Sequence, residues 1–209
     1  MQQQERTAET LAMFTKFGGN KEQIYATWKA ALEKAGWWKL LEKEKRELKQ
    51  DEKGMLELDL SRLPIADLKP LKGMPLAKLE LHVTKVSDLS PLKGMPLKNL
   101  GLAICSNLKN LAPLKGLPLE TLSLHDCQNI KDLAPLKGMP LKTLDLSESR
   151  NIKDLAPLQG MALVELHLHL CPQFDNRDLA VLRGMPLTTL DLSGTQVTDL
   201  RDFKDMPLT

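Results

Sequence analysis

Aromatic residues are scarce in this chain. They make up 4% of 209 positions, and six of the eight (Phe14, Phe17, Tyr25, Trp28, Trp37, Trp38) lie in the first 38. Only Phe174 and Phe203 come later, so the chain has two parts that meet near the charged run 42–53. Cysteine is also rare. Three residues form neither an even set nor a CxxC pair, which excludes a disulfide framework and a cysteine-built metal cluster and points to a reducing cytoplasm. No apolar run approaches the roughly 18 residues of a membrane span, and the opening MQQQERTAET lacks the basic-then-apolar pattern of a secretory leader. A net charge of +2 is far from the basic excess of a nucleic-acid binder. There is no Gly-rich phosphate loop, nucleophile elbow or HExxH motif, so no enzymatic activity is expected.

What the chain has in abundance is repetition. PLKGMPL stands at 70–76, 91–97 and 135–141, with the variants PLKGLPL at 113–119, PLQGMAL at 157–163 and VLRGMPL at 181–187. The glycines Gly73, Gly94, Gly116, Gly138, Gly160 and Gly184 are spaced 21, 22, 22, 22 and 24 residues apart. A fixed period in this range marks a stacked-repeat solenoid. Within one period, Leu119, Leu122 and Leu124 have the spacing LxxLxL, whose last part alternates like a half-buried strand. Thr121, Ser123 and His125 then point to the opposite face. Asp132 stands at the N-cap of the short segment LAPLK, Pro135 suits a first helical turn, and Gly138 ends it. The turn is too short for anything but one or two rounds of 3₁₀ type. Seven strands follow at 58–60, 79–81, 100–102, 122–124, 144–146, 166–168 and 190–192, stacked in parallel with leucines inside.

This pattern, LxxLxLxxCxxIxDLxPLxxL, resembles the leucine-rich repeat family over about residues 54–209. The Asp-Leu-x-Pro-Leu element is similar to the short repeats of bacterial internalin-type proteins. The near-verbatim PLKGMPL is similar to repeats attached to serine/threonine kinases in planctomycete-like bacteria. The resemblance implies an α/β leucine-rich-repeat solenoid, with parallel strands on a concave side and short 3₁₀ turns on a convex side. It also implies a non-catalytic scaffold that binds a protein, without cofactor or metal and without nucleic acid or membrane as partner. Two other readings stay open: a regulatory module of a larger enzyme such as a kinase, and a metal-dependent hydrolase. At the family's ladder position, Thr84, Cys105, Cys127, Ser149, Cys171 and Thr195 are expected to bond to loop backbone.

The outward strand residues fall into three columns: Glu57, Lys78, Asn99, Thr121, Thr143, Glu165, Thr189; then Asp59, Glu80, Gly101, Ser123, Asp145, His167, Asp191; then Ser61, His82, Ala103, His125, Ser147, His169, Ser193. All four histidines lie here. The candidate partner-binding residues are Lys78, Glu80, His82, His125, Asp145, Glu165, His167, His169 and Asp191, densest around Glu165, His167 and His169. Gly101 and Ala103 are expected to leave a bare patch beside Ile104. Lys72, Lys93, Lys115, Lys137 and Arg183 line the other edge, where they complement turn C-termini and keep the surface soluble.

The first 53 residues read as an α-helical N-terminal cap, with helices over 5–17 and 21–50 separated by Gly18 and Gly19. Asn20 caps the second. Ile24, Trp28, Ala31, Leu32 and Ala35 form its apolar stripe, and Gly36 interrupts it before Leu40, Leu41 and Leu48. The repeats at 54–209 number about seven, the last truncated. The chain stops where another strand is due, which suggests contact through an uncapped C-terminal end, from further repeats or another subunit.

Overall fold

The computed structural model describes residues 20–204 and 206–208, so the helix expected over 5–17 lies outside it. Helix α1 (Lys21–Lys34) begins where the sequence places it, with Asn20 Oδ1 accepting from the Gln23 amide at 3.1 Å. Gly36, at φ 75°, separates it from α2 (Trp37–Lys43). Here the expectation of helix through residue 50 fails. Lys45 turns the chain at φ 53°, and Lys49–Gln50 forms a short strand, β1. Asp51 explains the change. Its carboxylate accepts from the amides of Lys53 and Met55, both at 2.8 Å, and Gly54 at φ 82° closes the hairpin. The charged run is therefore partly a turn, and β1 pairs antiparallel with β2 (Leu56–Asp59), Lys49 opposite Glu57.

Six more strands follow: β3 (Leu76–Glu80), β4 (Asn99–Gly101), β5 (Thr121–Ser123), β6 (Thr143–Asp145), β7 (Glu165–His167) and β8 (Thr189–Asp191). They lie in sequence order, each parallel to its predecessor from β2 onward. Leu58, Leu79, Leu100, Leu122, Leu144, Leu166 and Leu190 pair rung by rung. Each strand ends one residue before the second leucine at which the sequence places its end. The reason is that the ladder becomes one-sided there. The second leucines still donate forward, Leu102 to the Ser123 carbonyl for example, but the next amide leaves the ladder, and those of Ser61, Ala103, Ser147 and Ser193 find a side chain instead. Then the chain corners. Arg62, Val83, Ile104, Asp126, Glu148 and Leu170 all take φ between 51° and 62°, and Gly194 takes 74°.

Across the coil, 3₁₀ turns such as Ser90–Leu92 and Ala134–Leu136 carry proline in their first two positions. Asp132 sits one residue ahead of the N-cap that the sequence assigns it, Leu133 being the cap, yet its carboxylate still accepts from the Ala134 amide at 2.7 Å. Asp67, Asp88, Asn110, Asp154 and Asp199 repeat the bond. In the longest period the turn grows to five residues, Asp178–Leu182.

The coils close over one aliphatic core, because no single coil buries its apolar side alone. Ile24, Leu32, Trp37, Leu41 and Leu48 join the same core as Leu56, Leu58 and Leu60. The far end is less complete: Leu190 and Leu192 are only half-buried and Leu200 is 55% exposed. The small polar ladder runs beside the leucines. Cys105 Sγ donates to the Leu81 carbonyl at 3.2 Å, Cys127 to Leu102 at 3.1 Å, and Ser149 Oγ to Leu124 at 2.7 Å. Thr84 and Thr195 bond within their own coils. All three cysteines are free, and burial pushes the Cys127 thiol up to about 12, which leaves it inert.

Candidate functional site

The parallel register sets the outward columns as the leucine spacing implies. Asp145 faces His167 and His167 faces Asp191, while Thr143, Glu165 and Thr189 adjoin in the same way. The third column continues past the strands, since the corner amides donate to its carbonyls: Val83 to Ala103, Ile104 to His125, Glu148 to His169. The nine candidate residues do not form one group. Four rungs of about 4.8 Å each separate the strand of Lys78 from that of His167, and the two ends have different chemistry.

Early in the sheet the charges are matched. Arg46 donates to Asp59 at 2.9 Å, and Glu80 lies 3.3 Å from Lys78 Nζ and 2.7 Å from His82 Nε2. Burial pushes the Glu80 carboxyl up. The hydrogen bond from His82, the charge of His82 when protonated and the ammonium of Lys78 outweigh it, so the carboxyl sits below the usual glutamate range. His82 Nδ1 accepts from the Ala103 amide at 3.0 Å, which assigns the proton to Nε2 and aims it at Glu80. This network overturns the bare patch expected at Gly101. A Cβ there would meet Glu80 Oε2 and the His82 ring at 2.4 Å or closer, so the missing side chain is what lets both cross over the strand. Gly101 is buried beneath them.

Late in the sheet no lysine or arginine answers the carboxylates. Among the described residues, none of their nitrogens reaches Asp126, Asp145, Glu148, Glu165 or Asp191; the charge partners are histidines, His125 at 3.8 Å from Glu148 and, when protonated, His169 and His167 near Asp191. The neighbours are neutral donors instead. Thr143 Oγ1 donates to Glu165 at 3.2 Å, and Asp145 Oδ1 accepts from the Ser147 amide at 2.9 Å. Asp191 accepts from both the amide and the hydroxyl of Ser193, which hold its carboxyl below the usual aspartate range.

The Asp-Leu-Ser triplets at 59–61, 145–147 and 191–193 share one bond, from the serine amide to the aspartate two residues earlier. It satisfies the amide that the one-sided ladder leaves over. Sequence reading by column missed this role; the recurring triplet is the signal that carries it. His169 Nδ1 lies 2.6 Å from Ser193 Oγ, whose proton is committed to Asp191. The imidazole therefore donates to the serine and does not receive its proton, the reverse of a nucleophile awaiting a base. Among the described residues no group of three or more His, Cys, Asp or Glu gathers as metal ligands, and no helix is long and apolar enough to cross a membrane. On the opposite edge, Lys72, Lys93, Lys115, Lys137, Gln159 and Arg183 each follow a 3₁₀ turn as its C-cap residue.

Parallel rungs, an aliphatic spine, 3₁₀ returns and a small polar ladder define a leucine-rich-repeat solenoid with an N-terminal helical element. Among solved structures the chain is similar to internalin C2 of Listeria monocytogenes, at 24% identity and a TM-score of 0.52, over 74% of this chain and 79% of that one. Internalin F of the same organism aligns over 70% of both chains at 19% identity, with a TM-score of 0.37. No protein-family model and no curated protein matches the chain.

Proposed function

We propose that this chain is a non-catalytic scaffold that holds a protein partner against the strand face of its solenoid. The observation that supports this reading is the register. Seven parallel strands line up outward side chains in columns, and on the later strands the carboxylates of those columns face no lysine or arginine among the described residues. A carboxylate that stabilises its own fold is matched, as Asp59 is by Arg46; Asp145, Glu165 and Asp191 remain available. Lys78, Glu80, His82 and His125 border the surface, and His167 and His169 lie at its centre. Buried reduced cysteines suit a cytoplasmic setting. The helices of residues 20–43 act as the cap of this repeat domain, covering leucines that the first coil cannot bury alone.

The test is affinity capture from the native host with a photo-crosslinking residue at Thr143 on the strand face or at Lys137 on the opposite edge. Crosslinking from 143 and not from 137 is expected, and Asp145→Asn with His167→Ala should abolish it at an unchanged melting temperature. Crosslinks from 137 alone would overturn the assignment. The asparagine keeps the acceptor for the Ser147 amide, so lost capture does not mean lost fold.

A further inference from the structure

One corner of the strand face carries two exposed β-branched side chains on adjacent rungs, where its repeats carry none of that type. Val83 and Ile104 lie on adjacent rungs, 43% and 41% exposed, at φ 58° each. Left-handed backbone suits glycine and asparagine and is an outlier for β-branched residues. At the same position other coils use Arg62, Asp126, Glu148, Leu170 and Gly194, so the corner itself has no need of a β-branched residue; Leu170, 38% exposed, lies over Gly194, where an added Cβ would meet its Cδ2. Neither fold nor solubility accounts for the pair. The next two rungs of this corner are Asp126 and Glu148, about 5 and 10 Å beyond Ile104 at one strand spacing each. Among the described residues, the side chain of Asp126 accepts only from the Gln128 side-chain amide at 2.7 Å, and that of Glu148 has only the 3.8 Å approach of His125. Asp145 extends the same negative field onto the strands.

From this juxtaposition we infer that the partner presents an extended cationic segment: one bulky apolar side chain on Val83 and Ile104, with arginine or lysine beside it over Asp126 and Glu148. This rests on the strand-face reading above and adds the chemistry of the partner. Charge complementarity fixes the order of side chains along the face. The apolar anchor sits toward the matched early rungs, and the basic residues run toward the unmatched late ones. The apolar contact supplies affinity, while the exposed carboxylates supply register and a salt-dependent association.

Random short peptides displayed on phage, panned on the wild-type protein, test this. The enriched peptides should share one leucine, isoleucine or phenylalanine next to arginine or lysine, in one chain order. Synthetic copies should lose about tenfold in affinity on Val83→Asn/Ile104→Asn, and similarly on Asp126→Asn/Glu148→Gln or in high salt. Because asparagine accepts the left-handed corner, Val83→Asn/Ile104→Asn should melt no lower than wild type, which separates lost contact from lost fold. Enrichment of neutral or acidic peptides, or no enrichment, overturns the proposal. Peptides that lose affinity only on Glu165→Gln/His167→Ala overturn this partner chemistry and leave the strand-face reading standing. Peptides indifferent to every strand-face substitution overturn both.

Discussion

The two ends of the sheet are built from the same repeat and finished differently. At the first end, β1 covers the edge of β2, Leu58 is 2% exposed in one core with Ile24, Leu32 and Leu41 of the helices, and Arg46 crosses from the cap to neutralise Asp59. At the far end, Leu190 and Leu192 are half-buried, and among the described residues Asp191 accepts from Ser193 and meets no lysine or arginine. The difference teaches how to read a charge in a repeat protein. Identical columns hold carboxylates already consumed by the fold and carboxylates left over, and only their neighbours distinguish the two.

The comparison is broken most forcefully through the core. Leu58→Ala should cost about 3 kcal/mol in chemical denaturation, as a fully buried leucine does, and Leu190→Ala well under half of that. Equal losses would mean the far end is as well packed as the near one. A smaller effect separates the charges. Arg46→Ala should cost about 0.5–1 kcal/mol, the range for a partly exposed pair, whereas Asp145→Asn and Asp191→Asn should stay within about 0.5 kcal/mol, since each keeps its serine-amide acceptor. Gly101→Ala should cost about 1 kcal/mol by displacing Glu80 and His82 and stranding the Ala103 amide. With His82→Ala already in place it should cost less, since only the flexible end of Glu80 is then displaced, and a double-mutant cycle reads that directly.

The smallest effect is a titration. Lys98 and Lys142 clasp Glu120 from adjacent coils at 2.8 and 2.9 Å, and their hydrogen bonds, with their charges, hold its carboxyl down at about 2. A depressed carboxyl stabilises the fold above its unfolded value of 4.5, and that contribution fades as pH falls from 4.5 toward about 2. Lys98→Met/Lys142→Met should move the Glu120 midpoint, followed by carboxyl NMR, up toward 4.5. On the late face Ser193→Ala should raise the Asp191 midpoint in the same sense. An Asp191 unmoved by that change would mean its carboxylate is held by something other than the serine.

Most of the solenoid was legible in the leucines. A side chain that repeats every 21 or 22 residues with LxL spacing has one way to escape water, beside its own copies, and that fixes strand order, register and the three outward columns. The N-terminal part was less legible. Glu42 through Lys53 carries no periodic apolar signal, so the hairpin around Asp51 and Gly54 reads as a continuation of the helix. At Gly101 the absence of a side chain says only that space exists. Whether that space stays open depends on Glu80 and His82, which belong to the preceding coil and reach across.

The sequence by itself determined the coil, its period and which residues face outward, because local spacing and burial of leucine act within and between neighbouring repeats. Tertiary structure alone decided which outward charges are free. Ion pairs such as Arg46–Asp59 and amide acceptors such as His82 join residues that no motif links, and their strength depends on distances that exist only once the coils are stacked.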